Sequence, residues 1–157
     1  MNLAVRDTTK PDDIAFGEIG TSLGFLLRLA QVRAFDGFFN SLGQLGLKPG
    51  EFTVLWVIGL NPQVKQGVIA RKLRIKPAHM TKLVQRVVDA DLVKRTVPDD
   101  DRRSVHLSLT TQGESFIAEN KPAFLNVVAS ENTTLEDKEF ETLVQLLRKF
   151  NGLENTQ

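Results

Sequence analysis

The 157-residue chain contains no cysteine. This absence excludes a disulfide framework, a thiolate zinc site and a cysteine redox sensor. No apolar run approaches the ~18 residues of a membrane span. Residues 1–13 carry charges of both signs without an apolar core, so we expect a mobile arm there and no signal peptide. Together these absences predict a cytoplasmic protein with no membrane partner.

Residues that support catalysis or metal binding are also scarce. The chain has no tyrosine and two histidines, His79 and His106, which fall on different predicted elements. An imidazole zinc site needs three or four ligands, and the aspartates at 99–101 fail the spacing of a calcium loop. There is no Gly-x-Ser-x-Gly, phosphate-loop or Gly-x-Gly-x-x-Gly sequence. We therefore expect no enzyme activity, no metal and no cofactor.

What the chain does have is a strongly basic middle. Residues 65–95 hold nine lysines and arginines against Asp89 and Asp91, a net charge of +7. Because the whole chain sums to +1, the remaining residues sum to −6. Such an asymmetry indicates a polyanionic partner, but a solvated face of a helical protein has the same composition. Charge alone supports these two interpretations about equally.

Apolar residues recur at helical spacing through most of the chain and predict a mainly α protein of one domain. The first helix is expected to cover residues 14–45 without a break. Pro49 opens a second helix, because proline suits the first helical position. A third, short helix is expected over residues 64–73, and Pro77 opens a fourth that extends to about Ala90.

The third and fourth helices are joined by three or four residues, which matches a helix-turn-helix. The predicted inward face of the fourth helix is apolar: Met80, Leu83, Val84, Val87 and Val88. Its predicted outward face is small, polar or basic: Ala78, His79, Thr81, Lys82, Gln85 and Arg86. A helix of this length and polarity can enter the major groove of DNA, where residues near its N-terminus face the base edges.

After the fourth helix the apolar period changes from 3.6 to 2. Residues 93–97 and 105–109 then predict a β-hairpin with a long polar tip. Arg102 and Arg103 at this tip can reach the narrow minor groove, and Asp101 can hold a neighbouring arginine in place. Packed beside a helix-turn-helix, such a hairpin forms a winged helix, and a plain surface hairpin is the alternative.

The period is helical again from Thr111, which has the spacing of a capping box with Glu114. We expect Pro122 to kink this helix. Residues 133–137 are expected to cap a last helix, whose apolar positions run from Phe140 to Phe150.

The stretch Leu92-Val93-Lys94-Arg95, the tip Asp101-Arg102-Arg103 and the exit Leu109-Thr110 with Gly113 resemble the wing of the multiple-antibiotic-resistance regulator (MarR) family of bacterial transcription factors. The resemblance covers residues 14–153 in the family's element order. It implies a mainly α fold with a small β-wing, in which a winged helix-turn-helix domain is joined to a helical dimerisation region. The implied bounds are 14–46 and 111–153 for the dimerisation helices, 49–109 for the winged helix-turn-helix, 77–90 for the recognition helix and 92–109 for the wing.

The resemblance also implies a homodimer on a pseudo-palindromic, double-stranded operator. Each recognition helix would lie in a major groove, Asp101 would orient Arg103 for the minor groove, and Arg102 and Arg86 would reach phosphate. The predicted DNA-binding residues are Lys76, Ala78, His79, Thr81, Lys82, Gln85, Arg86, Lys94, Arg95, Asp101, Arg102 and Arg103.

Three residues depart from the family's pattern. Asp91 stands where the family has glycine before the wing, and a left-handed helix end tolerates Asp less well than Gly. Lys48 and Lys76 precede Pro49 and Pro77 at positions where Ser or Thr makes the better N-cap.

The family responds to small ligands, often aromatic acids, held between the dimerisation region and the DNA-binding lobe. The candidate pocket residues here are Phe25, Arg28, Phe39, Phe52 and Trp56, among which Arg28 could pair with a carboxylate. Each aromatic residue taken singly is more typical of a core, and Arg28 taken singly is more typical of a solvated surface or a dimer salt bridge. An acyl-thioester ligand is equally open.

We therefore expect a dimeric, sequence-specific transcriptional regulator, a repressor released by a small aromatic or acidic ligand. Two alternatives stay open, because fold does not determine function. One is a winged-helix module that binds proteins and lacks specific DNA affinity. The other is a DNA-binding protein that responds to no ligand, which a missing thermal shift with small molecules would indicate.

Overall fold

The computed structural model describes residues 14–99, 101–130 and 134–153, except for the side chains of 128–130. The arm expected at residues 1–13 and the cap expected at Thr133 lie outside the described residues. The described part forms α1 (Leu23–Leu42), α2 (Pro49–Leu60), β1 (Val64–Lys65), α3 (Gln66–Lys72), α4 (Pro77–Asp89), β2 (Val93–Thr96), β3 (His106–Leu109), α5 (Thr111–Ser130) and α6 (Asp137–Phe150). None of these helices is long and apolar enough to cross a lipid bilayer.

The prediction of one unbroken helix over residues 14–45 is wrong. A 3₁₀ turn covers Gly17–Thr21, and α1 begins only after Ser22, whose backbone is extended at ψ 121°. A second 3₁₀ turn, Gly43–Leu45, follows α1. The apolar spacing continues across both boundaries, so periodicity alone could not reveal that the backbone changes direction at Ser22.

The third helix also begins later than predicted, because its first two residues form a strand. Val64 and Lys65 pair antiparallel with β3, with Val64 opposite Leu107 and Lys65 opposite His106. β2 pairs with the other edge of β3, which gives a three-stranded sheet in the order β1-β3-β2. The sheet therefore ties the start of the helix-turn-helix to the predicted hairpin, here called the wing (residues 92–109).

The helix-turn-helix itself is as expected. α4 begins at Pro77 and buries Met80, Leu83, Val84 and Val87, with Val88 half-buried, so the predicted inward face is confirmed. Arg74, in the turn before it, has a left-handed backbone at φ 53°. The amide of the next residue, Ile75, donates to the Ala70 carbonyl at 2.8 Å and so closes the end of α3.

An aromatic cluster joins α2 to the long helices on either side of it. Phe52 is 0% exposed and stacks on Phe124 of α5 with ring centroids 4.5 Å apart. Phe38 of α1 packs edge-on against both rings, at 6.2 and 6.0 Å, and Trp56 lies 5.5 Å from Phe124. Stacked and edge-on pairs at these distances are favourable arrangements for aromatic rings, so this cluster holds α2 against α1 and α5.

The exit of the wing is held by Thr110, which caps α5 in place of the predicted Thr111. The Thr110 hydroxyl accepts the Gly113 amide at 3.0 Å and donates to the Asp91 carbonyl at 2.6 Å. Asp91 has the left-handed backbone that glycine favours, at φ 56°, so the family's glycine position is here filled by a residue that adopts it at some cost. Helix α5 continues through Pro122 to Ser130.

The last helix leaves its apolar face open. Glu139 accepts the Glu136 amide at 2.9 Å and caps α6, which has no buried residue in this chain. Leu143, Val144, Leu146 and Phe150 are exposed on it, and Phe16, Ile19, Leu23 and Leu26 are exposed at the other end of the described chain.

Candidate nucleic-acid interface

The outward face of α4 carries every side chain that the sequence assigned to it. Ala78, His79, Thr81, Lys82, Gln85 and Arg86 are all exposed, as is Lys76 at the N-cap. The buried residues lie on the opposite face, so the helix stands against the core with its polar side free. This is the arrangement that a helix needs in order to enter a groove of DNA.

Two polar contacts tie this face to neighbouring elements. The Arg95 guanidinium donates to the Gln85 amide oxygen at 2.8 Å, and the Gln85 amide nitrogen donates to Asp89 at 2.6 Å. The Thr81 hydroxyl donates to the Pro77 carbonyl at 3.0 Å and accepts a bond from the Gln66 side chain at 3.3 Å. Arg95 of β2 and Gln66 of α3 are therefore held beside the exposed face of α4.

Lys94 does not share that face with Arg95. Successive residues of a strand point to opposite sides of a sheet, and Arg95 is directed to α4. Lys94 instead lines a cavity on the other side, together with Ile58, Gln63, Ser108 and Glu114. Grouping Lys94 with Arg95 as neighbouring contacts is therefore not supported by the geometry, because the alternation of the strand separates them.

Arg86 has a partner inside the protein, which the sequence interpretation of a phosphate contact did not include. Its Nε lies 2.5 Å from Glu51 Oε1, and its Nη2 donates to the Gly46 carbonyl at 3.4 Å. Glu51 is 1% exposed, and its other oxygen accepts the Lys48 amide at 2.8 Å. The buried carboxylate thus caps α2 in place of a Ser or Thr N-cap, and the positive charge of Arg86 offsets its negative charge.

The wing tip is an ordered turn with two arginines at its centre. The Ser104 amide donates to the Asp101 carbonyl at 3.0 Å, which makes Arg102 and Arg103 the two central residues of a β-turn. Aspartate is favoured at the first position of such a turn because its side chain bonds to the backbone two residues later. Here the Asp101 carboxylate accepts the Arg103 amide in that way. Both arginine side chains are exposed.

Among the described residues, the Asp101 carboxylate contacts the side chains of Ser104 and Lys65 and no arginine side chain. It accepts the Ser104 hydroxyl, and its Oδ2 lies 3.3 Å from Lys65 Nζ. These contacts, the Ser104 hydrogen bond first, hold the pKa of Asp101 below its usual value. The turn therefore keeps this anion at neutral pH and loses it only as pH falls through the lowered pKa. Asp101 therefore orients the tip by accepting hydrogen bonds from the backbone amides of Arg103 and Ser104, and does not bind the Arg103 guanidinium.

Four residues of this surface were missed from sequence: Glu51, Lys65, Gln66 and Ser104. Glu51 had a local signal, because an acidic residue three positions after an N-cap is the second half of a capping box. Lys65 had none, because its partner lies 36 residues later in the chain. Gln66 and Ser104 are ordinary polar residues whose contacts depend on the packing of α3 and the wing.

The five candidate ligand residues are not gathered into one pocket. Phe52 is in the core, Phe25 packs against Phe16 at 5.2 Å, and Phe39 and Arg28 are exposed. Phe25 and Phe39 are fourteen residues apart on α1, about 21 Å at 1.5 Å per residue. Within the single chain these five residues therefore do not line one common cavity, because α1 is too long to bring both of its ends to α2.

Trp56 does line a cavity, but with other partners. This cavity of about 300 Å³ lies between α2, β3 and α5, and its other lining residues include Leu60, Leu109, Glu114, Ile117 and Lys121. The Lys121 ammonium lies 5.3 Å from the centre of the Trp56 ring. The cavity combines an apolar wall, an aromatic ring, the Lys121 cation and the Glu114 carboxylate.

Comparison with known proteins agrees with this geometry. Residues 45–104 match the model of the MarR family. The putative transcriptional regulatory protein for the hcr operon of Thauera aromatica is 28% identical over 138 residues, 87% of this chain and 83% of that protein. The transcriptional repressor CouR, bound to a 23-mer DNA duplex, has a TM-score of 0.78 at 28% identity over 88% of this chain and 98% of its own.

A third similar protein is BpsR of Bordetella bronchiseptica, whose DNA binding is regulated by 6-hydroxynicotinic acid. It has a TM-score of 0.75 at 25% identity and covers 88% of this chain and 96% of its own. The family model covers the segment that contains the helix-turn-helix and the wing tip, and the shared fold covers most of the chain on both sides. These matches confirm the resemblance: residues 45–104 match the MarR family, and the proteins that this chain is similar to over most of its length are transcriptional regulators.

Proposed function

We propose that the chain is a homodimeric, sequence-specific DNA-binding repressor. The observation that carries this proposal is the pairing of an exposed α4 face with an ordered turn that presents Arg102 and Arg103. Major-groove contacts from α4 would read bases, and the wing arginines would enter the minor groove, where negative potential attracts arginine. CouR, the repressor bound to a DNA duplex, supports this assignment by analogy.

The proposed DNA contacts keep most of the residues predicted from sequence. Lys76, Ala78, His79, Thr81, Lys82, Gln85 and Arg95 would meet the major groove or its phosphates, and Arg102 and Arg103 the minor groove. Arg86 and Asp101 are assigned structural roles, because each is bound to a residue of its own chain. Lys94 is placed outside the contact surface.

The dimer is proposed on the open apolar faces at the two ends of the described chain. The helices at 14–46 and 111–153 would form the dimerisation region, and 49–109 the winged helix-turn-helix. Exposed apolar side chains concentrated on α6 and near the start of α1 form a surface that a monomer seldom leaves in water, and a second copy is the partner that fits both helices. Two recognition helices would then reach half-sites about 34 Å apart.

We expect Leu143→Asp to disrupt this dimer, because it places a charge on the open face of α6. Sedimentation at micromolar concentration should give the mass of one 17.5 kDa chain for the variant and twice that mass for the wild type. Leu143 contributes nothing buried in the single chain, so helicity should be retained. Leu60→Asp, on the exposed end of α2, is the matched control and should stay dimeric. A dimeric Leu143→Asp protein would contradict the proposed interface.

The effector is proposed to be a small aromatic acid bound in the cavity beside Trp56. The ring offers stacking and Lys121 offers a charge for a carboxylate, and BpsR provides the example of an aromatic acid that regulates DNA binding. A ligand between α2 and α5 would change the separation of the two recognition helices, and a coupling of only ~1–3 kcal/mol would change operator occupancy. As a regulator of DNA, the protein would act in the cytoplasm.

The test is fluorescence anisotropy with the duplex upstream of the gene that encodes this chain, against a scrambled duplex, over a salt series. Arg103→Ala should weaken binding about tenfold to a hundredfold and lower the salt slope by about two, one for each subunit.

Adding 6-hydroxynicotinic acid to the wild-type complex tests whether an aromatic acid releases the duplex.

Lys94→Ala is the matched control for Arg103→Ala, because it removes a charge from the same wing on the face turned away from α4. It should leave both affinity and salt slope unchanged within error. Equal loss in the two variants would mean that the wing contributes only general charge. Wild-type protein that binds neither duplex at low salt would instead favour the protein-interaction module.

A further inference from the structure

The junction between β1 and α3 holds Lys65 in a defined place beside the wing. Lys65 pairs with His106 across the sheet. The next amide, that of Gln66, donates to the Val105 carbonyl at 2.9 Å, and the Gln66 side chain reaches Thr81 of α4 at 3.3 Å. The backbone at Lys65 is therefore attached to the wing on one side and to the recognition helix on the other.

From this position the Lys65 side chain reaches the wing tip. Its ammonium lies 3.3 Å from Asp101 Oδ2, and the two side chains are 50% and 44% exposed. Asp101 is the residue that closes the turn around Arg102 and Arg103, through its own carbonyl and its carboxylate. Lys65 thus joins the tip of a long polar hairpin to the body of the DNA-binding lobe.

The ammonium of Lys65 differs from the two guanidinium groups of the wing tip in having a carboxylate of its own chain in contact. In the part of the chain that the structure describes, Arg102 and Arg103 have no ion-pair partner. Their guanidinium groups are free to meet DNA, whereas Lys65 would have to leave Asp101 to do so.

We propose that Lys65 is a positioning residue for DNA binding, acting through Asp101 to hold Arg102 and Arg103 in the orientation that enters the minor groove. The inference rests on the proposed function and adds to it a residue that touches no DNA. Its physical basis is preorganisation: a turn already ordered in the free protein loses less side-chain entropy on binding, an advantage of roughly twofold to tenfold in affinity for each side chain held.

The experiment uses Lys65→Met, which keeps the aliphatic stem and removes the charge. We expect operator affinity to fall about threefold to tenfold in Lys65→Met. Lys65→Arg should keep the wild-type affinity, because arginine retains the ion pair with Asp101. Asp101→Asn should have the same effect as Lys65→Met. Thermal unfolding of the free protein should stay unchanged, because exposed ion pairs contribute little to stability.

The decisive comparison repeats Lys65→Met in a background that already carries Arg102→Ala and Arg103→Ala. If Lys65 acts through the tip, its removal has no further effect there. If Lys65→Met weakens binding equally in both backgrounds and lowers the salt slope each time, Lys65 contacts phosphate directly and the proposal is overturned. An unchanged affinity in the wild-type background overturns it as well.

A second readout does not depend on DNA. Lys65→Met should accelerate hydrogen exchange at the Arg103 and Ser104 amides of the free protein several-fold, because both amides bond to Asp101 and the tip would open more often. Unchanged exchange would refute the role of the Lys65–Asp101 ion pair in ordering the wing tip, even if the operator assay failed. Faster exchange without any operator binding would support the ordering role of the Lys65–Asp101 ion pair and refute the proposed function.

Discussion

Arg86→Ala is expected to lower the free energy of unfolding by about 3 kcal/mol, because it leaves a buried carboxylate with half of its partners. Glu51 is 1% exposed, and Arg86 is its only ion-pair partner within the described residues. Removing one member of a buried pair costs about 3–5 kcal/mol. The lower end applies here, since the Arg86 side chain is 53% exposed and water screens it.

Urea denaturation at fixed protein concentration measures this effect as a lower midpoint with an unchanged slope. Lys82→Ala is the matched control, because Lys82 is an exposed cation on the same helix and its loss should change stability by less than about 0.5 kcal/mol. Arg86→Met combined with Glu51→Gln should cost less than Arg86→Ala alone, since no charge is then left buried. Equal midpoints for Arg86→Ala and Lys82→Ala would show that the ion pair does not hold α2 to α4.

Gly113→Ala is expected to destabilise the protein by about 3 kcal/mol or more, because the added methyl group would overlap the backbone of Leu92. A Cβ at this position would lie 2.1 Å from the Leu92 carbonyl oxygen and 3.0 Å from its carbon. Neither atom can rotate away as a side chain could. The same carbonyl accepts the Thr110 amide at 3.1 Å, so displacing it also breaks the bond that closes the wing.

The control for this prediction is Gly67→Ala in α3. The nearest atom to a Cβ there is Arg71 Nη1 at 4.0 Å, so alanine meets no obstacle. It should stabilise the protein by up to about 1 kcal/mol through its better helix propensity. Thermal or urea unfolding should therefore move in opposite directions for the two variants. Parallel shifts would mean that α5 can move off Leu92 at little cost.

Gly113 and Arg86 differ in how much of their role could be predicted from the sequence. Gly113 belongs to the Leu-Thr-x-x-Gly exit of the wing, and its place in that motif was visible in the sequence. The reason for glycine was not visible, because Leu92 lies at the other end of the wing. Arg86 was predicted from sequence to be an outward residue that reaches phosphate, and nothing in the sequence paired it with Glu51.

The failures of sequence reasoning have the same origin. Residues 14–45 keep a helical apolar period across Ser22, where the backbone turns extended. Val64 and Lys65 are a strand of two residues, which is too short to show any period and forms because β3 offers an open edge. The candidate pocket residues were grouped by type on the first two helices, where spacing along the sequence does not show that Phe25 and Phe39 lie about 21 Å apart along α1.

The sequence by itself determined the helix-turn-helix, the hairpin of the wing and the amphipathic last helix. Each of these depends on spacings within about twenty residues, where period, proline position and capping act locally. Only the tertiary structure decided which charged side chains of the described residues have an ion-pair partner and which do not. Arg86 and Lys65 are bound by Glu51 and Asp101, which come from distant segments, whereas Arg102 and Arg103 project from the turn that Asp101 closes. An ion pair requires atoms within about 4 Å, and distances between distant segments exist only once the chain has folded.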